Sequence, residues 1–147
     1  MIAEATFHLL RLNPALIASD LTGIHYAERP ERMTLPALLI ERRPASRLDH
    51  AKGPSNAQKG SIRVIALAAT YLGAGDLAKL AEKALNGWSG AVVMADDSEV
   101  RVRYADPQRA DVPSDHRDGE GAIRTHGVRV DLDFILREPP AATAPTP

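Results

Sequence analysis

The chain has 147 residues, 44% of them apolar, and its 18 Lys and Arg against 19 Asp and Glu leave a formal charge of -1. That is the size and composition of one domain able to bury a core, without the overall basic field that drives non-specific nucleic-acid binding. Cysteine is absent, which excludes disulfides, a thiol nucleophile and a thiolate metal site.

Residues 1–12 carry Glu4 and His8 among their apolar side chains and lack a basic leader and a small-residue cleavage site, so they do not read as a signal peptide. Ala3, Phe7 and Leu10 fall at helical spacing, and Asn13 before Pro14 reads as an N-cap with proline at the first helical position. Two short helices are therefore expected at the start. Residues 21–33 mix Gly23, Pro30 and charges, which suits an irregular connection with a short extended piece around Ile24 and Tyr26.

A strand is expected over residues 37–43, with Leu38 and Ile40 on one face and Leu39 and Glu41 on the other. Residues 44–60, with Pro44, Gly53, Pro54 and Asn56, read as a long basic connection, a kind that is usually functional or disordered. Extended character returns over 61–70. The longest mostly apolar run, residues 64–72, is far short of the roughly 20 needed to span a bilayer.

Leu77, Leu80, Ala81, Ala84, Leu85 and Trp88 share one helical stripe, which predicts an amphipathic helix over 74–86 with Trp88 in the core and Gly87 at the C-terminal cap. Residues 91–94 and 99–104 predict a hairpin, since Val100, Val102 and Tyr104 alternate with Arg101 and Arg103. Residues 106–121 read as a second long connection, acidic through Asp111, Asp115, Asp118 and Glu120. In the last strand Val128, Val130, Leu132, Phe134 and Leu136 alternate with Arg129, Asp131, Asp133 and Arg137, the period of a half-buried antiparallel strand. The expected fold is α+β over residues 1–137, a single antiparallel sheet with helices packed on one face and long loops. The Pro, Ala and Thr tail, 138–147, lacks side chains large enough to offset the entropy of ordering and is expected to be disordered.

Catalytic and ligand-binding motifs are weak. Gly73-Ala74-Gly75-Asp76-Leu77-Ala78 fits G-x-G-x-x-A, with Asp96 about 20 residues further on. The alternating strands around it do not suit a buried parallel sheet, so a glycine-containing turn into a helix is the stronger reading. Lys59-Gly60-Ser61 has the order of a phosphate loop reversed. The five histidines lack the i, i+4 spacing of a helical metal site, and the acidic residues of 111–120 miss the calcium-loop pattern. No G-x-S-x-G elbow is present. Neither an enzyme nor a cofactor is expected.

Four runs carry a resemblance spanning nearly the whole chain to Glu138: Leu35-Pro36-Ala37-Leu38-Leu39-Ile40-Glu41-Arg42, Ile62-Arg63-Val64-Ile65-Ala66-Leu67-Ala68-Ala69-Thr70-Tyr71, Ala84-Leu85-Asn86-Gly87-Trp88-Ser89-Gly90, and the strand 127–137. Together with the order of elements they resemble the phage tail-terminator, or tail-completion, family, which also serves gene transfer agents. The resemblance implies a non-enzymatic virion protein without cofactor, made in the host cytoplasm and placed at the head–tail junction. It implies a homohexameric ring that caps the tail tube, stops its polymerisation and meets the head-completion or stopper protein, with DNA passing through the lumen without sequence-specific binding and no membrane partner. Another head–tail connector component, or a small nucleotide-binding enzyme built on Gly73 and Gly75, are the alternatives. A head-to-tail ring contact needs two different surfaces that match. Arg42, Arg43, Arg47 and Lys52 facing Asp111, Asp115 and Asp118 would supply one.

Overall fold

A computed structural model describes residues 1–26, 34–50, 53–112 and 125–137, with backbone alone for 44–50 and 53–56. The opening pair of helices is α1, Ile2–Arg11, and α2, Pro14–Ala18. Asn13 Oδ1 accepts from the amides of Ala15 and Leu16 and so caps α2, as its position before proline predicts. The α1 stripe buries Ile2, Ala3, Ala5, Thr6 and Leu10.

Next come β1, Gly23–Tyr26, then β2, Ala37–His50, and β3, Gly53–Ala68. Helix α3, Tyr71–Leu85, is followed by β4, Ser89–Val93, β5, Glu99–Val112, and β6, His126–Arg137. The six strands form one sheet in the order β1-β2-β3-β6-β5-β4. All its pairs are antiparallel except β1 with β2. The expected α+β class holds, and the expectation of a purely antiparallel sheet is corrected at that edge. There the Thr22 amide and hydroxyl both donate to the carbonyl of Pro36, which sets the entrance of β1 beside the entrance of β2 and makes the two run the same way.

Helix α3 begins at Tyr71, three residues earlier than its apolar stripe predicts, because Thr70 Oγ1 accepts from the Gly73 amide and caps the first turn. Gly87 stops it in the left-handed region at φ 73. α3 lays Ala74, Leu77, Ala78, Ala81 and Leu85 over β3 and β6. The main core joins them to Leu38, Ile40, Ile62, Val64, Val102, Tyr104, Val130, Leu132, Phe134 and Leu136. Trp88 is half-buried on the margin of this core, not enclosed in it as the stripe suggests. The chain has by then left the helix for β4, and the indole lies over Gly90, where a Cβ would come within 3.1 Å of it.

The long basic connection expected over 44–60 is corrected too. Most of it is paired backbone, with Ala45, Ser46, Arg47 and Leu48 opposite Gly60, Lys59, Gln58 and Ala57, and His50 opposite Gly53. Pro44, which has no amide to give a ladder, falls at the register shift between Arg42 and Ala45, so the pairing resumes after it. The first part of the second expected connection is likewise taken up by β5. That strand passes a shift between Ala105 and Gln108, where Asp106 has φ 54, and pairs on to Val112. The remainder of the acidic connection, 113–121, and the tail, 138–147, lie outside the described residues.

Candidate assembly surface

Because strands alternate, the sheet has a second face, away from the helices. Its character changes in order along β3 and β6. At one end Leu39, Ile65 and Leu67 are buried with Leu35 and Val112 packed on them, a small apolar cluster distinct from the main core. Next comes a belt of paired charge, where Arg63 stands opposite Glu41 on β2 and Asp131 on β6. Arg63 Nε donates to Asp131 Oδ1 at 2.8 Å, and Arg129 Nε lies 4.0 Å from Asp131 Oδ2. Beyond the belt Asp133, Ile135 and Arg137 of β6 stand exposed, alongside Lys59 of β3 and Arg101 and Arg103 of β5.

Partial burial pushes the Asp131 carboxyl up, but the hydrogen bond and charge of Arg63, helped by Arg129 and Arg43, outweigh it and hold the group below the ordinary carboxylate range. Arg63 is raised in turn, first by its hydrogen bond to Asp131. A carboxyl depressed in the folded state stabilises above the unfolded pKa of about 3.9 and loses that contribution as pH falls through the folded value. A double-mutant cycle of Arg63→Ala and Asp131→Ala should give a coupling of about 0.5–1 kcal/mol at neutral pH. Urea unfolding at about pH 2.5 should find it much reduced. A coupling unchanged by acid would mean that packing, not charge, links the pair.

The sequence singles out seven assembly candidates. Arg42 and Arg43 are exposed near the middle of β2. Arg47 lies further along β2, its side chain beyond what is described, and Lys52, Asp115 and Asp118 fall outside the described residues. Asp111 is on β5 and accepts from Tyr71 Oη at 2.8 Å. That bond, with the Asp111 charge, raises the Tyr71 phenol above its ordinary value. Strands β3 and β6 separate β2 from β5, a span of about 14 Å at about 4.8 Å per strand. Within one protomer Arg42 and Arg43 therefore do not meet Asp111.

The glycine motif is placed unlike a dinucleotide turn. Gly73 and Gly75 are inside α3, and the Gly73 amide is already taken by Thr70 Oγ1. The strands on either side of that helix, β3 and β4, are not neighbours in the sheet, so no crossover crevice opens at its N-terminus. Among the described residues no group of His, Asp and Glu is arranged to hold a metal ion, and no helix is long and apolar enough to cross a membrane.

Sequence patterns do not single out the unpaired arginines of the helix-free face. The alternation of 99–104 and 128–137 puts them outward, but only the register of β5 on β6 puts them side by side. No family model matches the chain, and no curated protein matches it.

Proposed function

We propose that the chain is a structural virion protein, a tail terminator that caps the tail tube as a hexameric ring, stops tube polymerisation and joins the tail to the head-completion or stopper protein. The observation that carries this reading, beside the resemblance, is the edge of β2. β1 pairs with it only from Ala37 to Ile40. Among the described residues no strand covers β2 from Glu41 to His50 on that side. A long open edge bearing Arg42 and Arg43 is a hazard for a solitary molecule, because its free amides and carbonyls template pairing with other chains. In a closed ring it becomes one half of a head-to-tail interface.

The acidic side of the match falls to Asp111 and the connection after it, on the far side of β3 and β6 from Arg42 and Arg43. Placing matching charges on opposite sides of a protomer suits a cyclic assembly, where one subunit's β2 side meets the next subunit's β5 side. Exposed pairs of this kind are individually weak, about 0–1 kcal/mol, so the tube itself is expected to nucleate the ring. A different head–tail connector would use the same edge, and the genes beside this one separate the two: a tail-tube gene next to it favours the terminator.

The test is deletion of the gene followed by electron microscopy of the particles. Tails of uncontrolled length, detached from filled heads, are expected. Tails of normal length joined to heads would overturn the proposal.

A further inference from the structure

The unpaired arginines of the helix-free face carry an inference that goes beyond the capping ring and does not need it. Arg101 of β5 stands directly opposite Arg137 of β6, and the next outward row sets Arg103 opposite Ile135. Ile135 is in turn opposite Lys59 of β3, and Arg103 is opposite Ser89 of β4. Four cations thus occupy two adjacent rows across three strands, about 5 Å apart between strands and about 7 Å apart along them. Like charges directly opposite destabilise a sheet. Here nothing relieves them: among the described residues none of Lys59, Arg101, Arg103 or Arg137 makes a hydrogen bond or ion pair. The acidic groups on the same face are Glu99, beyond Arg101 on β5, and Asp133, one outward row before Ile135 on β6, and neither closes an ion pair with them.

Ser89, Gly90, Arg101, Arg103, Ile135 and Arg137 line one shallow groove over these rows. We infer that this groove is a contact surface for the phosphate backbone of duplex DNA, bound without regard to sequence. The other end of the same face is closed by apolar packing and its middle by the Arg63–Asp131 pair, so the free positive charge is confined to one end. A repeating array of cations suits a repeating array of phosphates better than it suits one or two carboxylates, and guanidinium forks grip phosphate oxygens in pairs. The two rows present no aromatic side chain, so the platform for stacking the bases of a single strand is missing. A formal charge of -1 keeps the rest of the molecule from holding DNA unaided.

The experiment titrates the full chain into a labelled random-sequence duplex of about 30 base pairs, read by fluorescence anisotropy from about 50 mM salt upward. The patch variant carries Arg101→Gln, Arg103→Gln and Arg137→Gln. An equal-charge control carries Arg11→Gln, Lys79→Gln and Lys83→Gln on the helices. Thermal melts verify that both fold. The patch variant should bind at least about tenfold more weakly, and its plot of log affinity against log salt should be shallower by about 2.7, which is about 0.9 for each phosphate released. The control should match the parent. No duplex binding at the lowest salt, or equal losses in the two variants, overturns the inference. Preference for polyglutamate over the duplex also overturns it and assigns the groove to an acidic protein. None of these results bears on tail length, so failure here and failure of the terminator reading are told apart.

Discussion

Tyr104→Ala should lower the unfolding free energy by about 3–5 kcal/mol, the range for removing a buried aromatic ring. Tyr104 is fully buried on β5, against Trp88 with ring centroids 6.4 Å apart. Its hydroxyl is 2.8 Å from Thr6 Oγ1 on α1. Thr6 already gives its hydroxyl proton to the Ile2 carbonyl at 2.8 Å, so the phenol is the donor of that bond. It fastens the first helix to the sheet from inside the core. Tyr104→Phe keeps the ring and should cost only about 1–2 kcal/mol, the scale of one buried hydrogen bond. Burial pushes the phenol above its ordinary value, with the Thr6 bond acting the other way. A phenol raised in the folded state leaves stability intact below the unfolded pKa of about 10 and removes it as pH rises past that point. Urea melts should therefore show a steeper alkaline loss for the parent than for Tyr104→Phe. Parallel losses would mean that Tyr104 ionises in the folded protein.

How far the fold was legible depends on what each signal reports. The strict alternation of Val128, Val130, Leu132, Phe134 and Leu136 names the buried face of β6 correctly, because one side chain in two must enter the core. Asn13 and Gly87 mark helix ends through local geometry that needs no partner. Signals that depend on distant partners fail instead. Residues 44–60 have no apolar face and contain Pro44 and Pro54, so they imitate a loop, yet pairing of β2 with β3 holds most of them as strand. The β1 direction is set by Thr22 bonding to Pro36, a contact no periodicity encodes. For the candidate surface, sequence supplies Arg42, Arg43 and Asp111 as a charge pattern, and only the strand order tells that two strands keep them apart. The Arg101–Arg137 juxtaposition is a fact of register, and a slip by one residue would dissolve it.

The same dependence on register hides the second apolar cluster, where the next large effect is expected. Leu39 and Ile65 alternate with core residues and so read as outward, beside Glu41 and Arg63. In the sheet they are buried with Leu67, which is 1% exposed, under Leu35 and Val112. Val112 reaches them because β5 continues past its shift and pairs Val112 with Gly127. A Cβ at Gly127 would come 3.1 Å from Val112 Cβ and 3.2 Å from Leu67 Cδ2, so the glycine is what lets these two side chains close over β6. Leu67→Ala should cost about 2–5 kcal/mol, as for other buried leucines, although Leu67 belongs to the face without helices. Gly127→Ala should cost about 1–3 kcal/mol by overpacking. Combined, the two should cost less than the sum of the singles by at least about 0.5 kcal/mol, because shortening Leu67 opens the space that the new methyl needs. Urea unfolding of the four proteins measures all three quantities. Strictly additive losses would mean that Gly127 and Leu67 do not share that space, and a loss under about 0.5 kcal/mol for Leu67→Ala would mean that this face of the sheet is open to water.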